Sequence, residues 1–312
     1  MSETRAIALG FFDGLHIAHR AVLEAACRGN IPGSACYSPG ASGTPPPTDN
    51  LVPAVLLFDE HPLQCLRGSA PPQLLTDADR DEMLRGMGLE LLKIPFREVM
   101  RFDARRFLEE VLLGRFHAGA LCCGYHYHFG REGTGNPDVL RQLCGEYQIA
   151  LRVVPKVEYR GEAVSSTRIR EALERGKLAN ANAMLGRPFG YAFEVKEGAR
   201  VGRTLGAPTI NQQFPQGFVI PKYGVYASQA FVGGEWRTSV TNIGVKPTFA
   251  RNAEGGCPAA GGETHIIGFA GELYGRRVPV RLLRYLRGER RFGSLEELKG
   301  QIGKDKENAG VA

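Results

Sequence analysis

The 312 residues carry 43% hydrophobic and 23% charged side chains, which excludes disorder over most of the length, and a chain this long exceeds what one hydrophobic core organises, so two domains are expected. A net charge of +6 suits an anionic ligand such as a nucleotide, but the excess is spread along the chain and no Lys/Arg block marks a nucleic-acid partner. Seven cysteines without a CxxC pair, an N-terminus without a cleavable apolar core and no 18-residue uncharged apolar run point to reduced thiols, a cytoplasmic location and no membrane contact.

Residues 6–12 (AIALGFF) read as a buried strand entering a glycine-containing turn, and 16–27 as a helix with Ala21, Val22, Leu23, Ala25 and Ala26. A nucleotide-binding α/β half begins in this way. Residues 29–52 are dense in Gly, Pro, Ser and Thr and predict a surface loop. Apolar runs at 52–58, 89–96, 118–124 and 149–155 predict further strands, with helical periodicity over 77–87 and 103–113. Strands separated by helices imply a parallel sheet with right-handed crossovers. One or two short helices follow over 166–184, and GRPFGY (186–191) supplies a linker, so the domains are expected at 1–186 and 187–312. Beyond the linker the texture changes to short β-rich pieces punctuated by Gly, Pro and Asn, which predict an antiparallel barrel or sandwich. An amphipathic helix over 294–302 closes it, with Ser294 as N-cap and Glu297 as capping-box partner, for a fold class of α/β plus β.

Candidate chemistry in the first domain starts at GFFDGLHIAHRAVL (10–23), where Gly10, Phe12, Asp13 and Gly14 lead into His16 and His19, three apart at the mouth of a helix. Backbone N–H groups and the helix dipole favour anions there. SSTRIREAL (165–173) opens another helix with Ser165, Ser166, Thr167 and Arg168, hydroxyls and a guanidinium suited to phosphate. His61 and Pro62 of FDEHP (58–62) lie at a strand's C-terminal end, where α/β sheets place their ligands. The segment 123–136 carries His126, His128 and Phe129. On a strand His126 and His128 would share a face near Cys122 and Cys123, yet a full tetrahedral set at known spacing is missing and zinc is not expected.

In the second domain four fragments stand out: VGRTLGAPTIN (201–211), YGVYAS (223–228), TNIGVKPTF (241–249) and ETHIIGFAGELYG (263–275). Gly202 and Gly206 flank Arg203 and would let backbone amides approach phosphate oxygens. Thr209 and Asn211, two apart on an extended segment, point the same way and offer hard oxygen ligands to Mg²⁺. Glu263 heads an apolar strand. Singly, these residues also fit a β-turn, a turn cap and a solvated strand end.

Taken together the second set resembles riboflavin kinase, and the first set falls in the order found in FAD synthetase modules fused to it. From about residue 6 to 309 the chain is similar to the bacterial bifunctional riboflavin kinase/FAD synthetase (FMN adenylyltransferase) family. The resemblance implies an N-terminal Rossmann-like nucleotidyltransferase domain and a C-terminal antiparallel β-barrel kinase domain with a terminal helix. It implies riboflavin, FMN and ATP as substrates and Mg²⁺ at both sites. It assigns the metal to Thr209 and Asn211, the proton of the ribityl 5′-hydroxyl to Glu263, and ATP to Gly202, Arg203 and Gly206. For adenylyl transfer it assigns catalysis to His16, His19 and Arg168, ATP to Gly10, Phe12, Asp13, Gly14, Ser165, Ser166 and Thr167, and flavin to His61, Pro62, His126 and Phe129. The chain departs from the family form at Ala18, where HxGH has Gly, at Glu60, where Pro is usual, and at His126 and His128, where Asp or Asn and Arg are common. The residues also admit a monofunctional kinase with an inactive nucleotidyltransferase-like domain, and a non-catalytic flavin- or nucleotide-binding regulator.

Overall fold

The computed structural model describes residues 3–28, 50–197, 209–245, 260–290 and 295–310. Gly202, Arg203, Gly206, Ser294 and most of the 29–52 loop lie outside the described residues. Two compact units form, one from 1–71 with 75–164 and one from 72–74 with 165–312.

The first unit is built on strands β1 (Arg5–Leu9), β2 (Val52–Phe58), β3 (Glu90–Ile94), β4 (Ala118–Gly124) and β5 (Ala150–Val154). They pair in parallel in the order β3-β2-β1-β4-β5. The expected strands are unbroken apolar runs because both faces of this sheet are covered. Ile7 and Leu9 of β1 join one core with Leu56, Ile94 and Leu121, whereas Ala6 and Ala8 join the other with Val55, Leu57 and Cys122. That is the two-residue period of a strand acting on both faces. Helices α1 (Ile17–Cys27), α2 (Pro62–Arg67), α3 (Asp77–Gly86), α4 (Phe96–Val99), α5 (Ala104–Arg106) and α6 (Pro137–Glu146) fill the connections. The helix expected over 103–113 starts where Asp103 Oδ1 accepts from Arg106 N at 2.8 Å, then widens into a π-helical stretch, Phe107–Arg115. Because the chain moves outward from β1 to β2 and β3 and then crosses to β4, the order reverses beside β1, and ligand crevices in such sheets open there, at the strands' C-terminal ends. Burial pushes the Cys122 thiol up to about 12.

The first unit ends in a short hairpin, β6 (Glu158–Tyr159) and β7 (Glu162–Ala163), and the second opens with α7 (Ser166–Glu174) and α8 (Leu178–Leu185). A closed six-stranded barrel follows, formed by β8 (Phe189–Lys196), β9 (Thr209–Gln213), β10 (Gly224–Val232), β11 (Glu235–Val245), β12 (Ala260–Ile266) and β13 (Arg277–Arg287). Between barrel and sandwich the outcome is the barrel, in the order β10-β11-β12-β9-β8-β13. Its interior is partly polar. Ser228 Oγ lies 2.8 Å from both Ser239 Oγ and Thr241 Oγ1, and Thr241 Oγ1 lies 2.8 Å from Thr264 Oγ1, so four buried hydroxyls satisfy one another.

The closing helix, α9 (Leu295–Gly310), runs eight residues past the expected end at 302, through Gly303. Tertiary contact offsets the poor local propensity. Asp305, 3% exposed, takes Arg287 Nη2 at 2.6 Å and Nε at 3.1 Å, and Ala309 is buried as well. Asp305→Ala is expected to cost the second unit roughly 2–4 kcal/mol, because it removes two charge-assisted hydrogen bonds from a half-buried guanidinium. Thermal unfolding followed by circular dichroism should show the midpoint falling by roughly 5–10 °C.

Candidate active sites

The first site grows from the end of β1. Between Gly10 and His16 the chain turns through three left-handed residues, Phe12 (φ 56°), Gly14 (φ 81°) and Leu15 (φ 44°). Phe12 and Leu15 are each 1% exposed, and their burial holds the chain in a conformation that bulky residues otherwise avoid. A Cβ on Gly10 would lie 3.0 Å from Cζ of Phe12, so any larger residue there would press on that ring. Asp13 is also buried.

The turn delivers His16 as the N-cap of α1, where its Nδ1 accepts from His19 N at 3.2 Å. That bond keeps Nδ1 unprotonated and leaves the proton of a neutral ring on Nε2. The rings of His16 and His19 stack with centroids 3.6 Å apart, and Phe12 meets His19 edge-on at 5.4 Å. Nδ1 of His19 is buried without a hydrogen-bond partner among the described residues. Burial first, then the neighbouring His16 and His126, hold the His19 imidazole well below its usual 6.5. The His19 imidazole is therefore neutral at neutral pH, and it lies with His16 at a helix N-terminus.

A stability consequence follows in sign. Folding keeps His19 neutral while the unfolded chain takes up a proton below about 6.5, so stability contributed above that pH is lost as pH falls toward the lowered folded value. Urea unfolding at pH 7.5 and 5.5 should show a smaller acid loss in His19→Gln than in the parent chain.

His61 follows β2 and caps α2, its Nδ1 accepting from Leu63 N at 3.0 Å, with Pro62 in the first helical turn. Its ring packs edge-on against Phe11 at 4.1 Å, a partner the sequence analysis did not assign. The carboxylate of Glu60 accepts from Arg97 Nε at 3.0 Å and from Cys65 Sγ at 2.9 Å, which ties the end of β2 to α4. After β4 the chain turns at once, with Tyr127 N donating to Gly124 O at 3.1 Å. His126 and His128 thus lie exposed on a turn and its exit, and the strand that would have aligned them is absent, because backbone bonding leaves the sheet at Gly124. No cluster of three or more His, Cys, Asp or Glu among the described residues could hold a metal. Phe129 is 7% exposed, packed with Phe107 and Tyr127 and paired through its backbone to Gly135.

Ser165 caps α7, its Oγ accepting from Arg168 N at 3.3 Å, and Ser166, Thr167 and Arg168 form the first turn. Arg170, one turn face away, is buried and donates to Pro72 O at 2.6 Å, a structural use of the neighbouring guanidinium.

The second site lies on the outer face of the barrel. Ile210, Gln212, Thr241, Ile243 and Thr264 point inward and are buried, so their chain neighbours point out. Across the strands Glu263 pairs directly with Asn211 on one side and Asn242 on the other, and Asn211 pairs with Lys196. Directly paired residues share a face, so Lys196, Asn211, Glu263 and Asn242 stand in one row. Thr209 Oγ1 donates to Glu263 Oε1 at 3.0 Å, which brings the three predicted residues together. The Oδ1 of Asn242 is buried without a partner among the described residues. Neither Lys196 nor Asn242 is among the residues expected at this site from sequence. Asn242 sat inside the TNIGVKPTF fragment and Lys196 carried no local signal.

Two family models match, one described as FAD synthetase over residues 1–168 and one as riboflavin kinase over residues 185–311. A bifunctional riboflavin kinase/FMN adenylyltransferase of Bacillus subtilis (strain 168) is 31% identical over 311 residues, spanning 97% of this chain and 90% of that protein. The chain belongs to the bifunctional riboflavin kinase/FMN adenylyltransferase family. Members from Pseudomonas fluorescens and Escherichia coli (strain K12) are 32% and 31% identical, covering 95% and 96% of this chain and 89% and 90% of theirs. A crystal structure described as a macrolide-efflux protein from Streptococcus pneumoniae shares the fold, with a TM-score of 0.81, 25% identity and coverage of 99% of this chain and 94% of that one. No described helix is long and apolar enough to cross a membrane. The Rossmann-like sheet and the closed barrel are the two architectures that the resemblance implied for this family.

Proposed function

We propose that the chain transfers the γ-phosphoryl group of ATP to riboflavin, giving FMN, and then the adenylyl group of a second ATP to FMN, giving FAD and pyrophosphate. The observation that carries it is the meeting of Thr209, Asn211 and Glu263 on one barrel face, inside a chain matched end to end by two-activity relatives.

At the barrel, Glu263 takes the proton of the ribityl 5′-hydroxyl as its oxygen attacks the γ-phosphorus and ADP leaves. The residues present fit Mg²⁺. Thr209 donates a hydrogen bond to Glu263, which leaves lone pairs on its hydroxyl oxygen free, and Asn211 adds a carboxamide on the same face. When bound, the ion would neutralise charge on the phosphate oxygens. The division of labour we assign is 1–186 for adenylyl transfer and 187–312 for the kinase, supported by a kinase match that begins at 185.

Adenylyl transfer needs no protein nucleophile, because an FMN phosphate oxygen attacks the α-phosphorus directly and pyrophosphate departs. His16 and His19 donate N–H groups to the phosphates, Ser165, Ser166, Thr167 and Arg168 supply further donors, and Gly10, Phe12, Asp13 and Gly14 shape the ATP-binding turn. His61, Pro62, His126 and Phe129 are assigned to the flavin. The substrates are small molecules, and the proposal places the work in the cytoplasm without a nucleic-acid partner.

The test is incubation of purified protein with riboflavin, ATP and Mg²⁺, with products separated by chromatography. FMN appearing first and FAD after it supports both reactions. FMN that accumulates with no FAD would reduce the first domain to an inactive relative, and neither product would reject the enzyme.

A further inference from the structure

We propose that Asn242 is a substrate-binding residue of the phosphoryl-transfer site, its carboxamide oxygen accepting a hydrogen bond from a hydroxyl of the flavin's polyol chain. This rests on the assignment of Glu263 as the base. The row across the barrel face runs Lys196, Asn211, Glu263, Asn242, with neighbouring strands about 4.8 Å apart. The cationic end and the hard oxygens of Thr209 and Asn211 lie on the β8/β9 side of Glu263, which suits the polyphosphate. Asn242 lies on the opposite side, beside the flank that the described residues leave for the alcohol Glu263 deprotonates.

The chemistry of the Oδ1 atom narrows its ligand. It is buried and unpartnered among the described residues, and a buried acceptor without a donor costs free energy until one arrives. Phosphate oxygens of ATP have no proton to give it. A cation held by Asn211 lies roughly two strand spacings away, well beyond an Mg–O bond of about 2.1 Å. The polyol hydroxyls are donors on the correct side. A second observation agrees. Two residues further along the same face of β11, the Glu289 carboxylate packs so closely over Gly244 that a Cβ there would overlap its Oε1. That flank thus carries a carboxylate, which repels a polyphosphate and tolerates a neutral alcohol.

Steady-state riboflavin phosphorylation by the full chain tests it, with Asn242→Ala, Asn242→Ser and Glu263→Gln side by side. Asn242→Ala should raise KM for riboflavin about 10-fold or more, the loss of one buried hydrogen bond to substrate, and leave KM for ATP and the Mg²⁺ activation curve within about twofold. Asn242→Ser, which keeps a shorter acceptor, should fall between, and carries the same comparison if the alanine variant loses its unfolding transition. An unchanged riboflavin KM, or an equal rise in the ATP or Mg²⁺ requirement, overturns the proposal. Retained turnover in Glu263→Gln overturns the base assignment instead, whatever the Asn242 variants do.

Discussion

Glu263→Gln is expected to lower turnover of riboflavin phosphorylation by about 10²–10⁴-fold, the range that a positioned general base contributes, with substrate KM values little changed. The carboxamide is isosteric and keeps an oxygen for the Thr209 hydroxyl, so the bond at 3.0 Å survives while the proton acceptor is lost. A fall in kcat without a rise in KM is the mark of an interaction made in the transition state alone. FMN supplied directly should still be converted to FAD at an unchanged rate, since adenylyl transfer is assigned to the other domain. Near-normal kinase turnover in this variant would remove Glu263 from the chemistry.

His16→Asn should lower FAD formation from FMN about 10²–10³-fold and leave FMN formation from riboflavin unchanged. Asparagine is chosen because His16 is the N-cap of α1, and Asn retains an acceptor for the His19 backbone N–H. The variant thereby separates the cap, which Asn restores, from the Nε2–H donor, which it does not. His16 is 3% exposed and stacked on His19 at 3.6 Å, so its ring is fixed before substrate arrives and no ordering is lost on binding. Rapid FAD synthesis by His16→Asn would assign the ring to the fold alone. Ala18→Gly, made in parallel, reports whether the extra methyl slows adenylyl transfer in this chain.

The departures from the family form have visible local consequences. Glu60, in place of the usual proline, fastens the loop that carries His61 to Arg97, although both partners are well exposed and the pair is worth little to stability. His126 contributes to holding His19 neutral, an effect that an aspartate at that position would reverse in sign.

Local pattern was enough to read the parallel strands, because β1, β2 and β4 are buried on both faces and show it as unbroken apolar runs. It was enough as well for the histidines at the mouth of α1 and for the pair Thr209 and Asn211, whose shared face follows from two-residue spacing within one strand. Other features depended on residues far apart in the chain. Whether the β-rich half closes as a barrel, which strands lie beside Glu263, and hence that Asn242 and Lys196 join its row, are matters of inter-strand register. So are the four mutually bonded hydroxyls of the interior. The extension of α9 through Gly303 is set by Arg287 meeting Asp305, and the turn at Gly124 by where β4 leaves the sheet. A strand's own residues say which face each side chain takes, but the neighbour across the hydrogen bonds is chosen by the folded pairing as a whole.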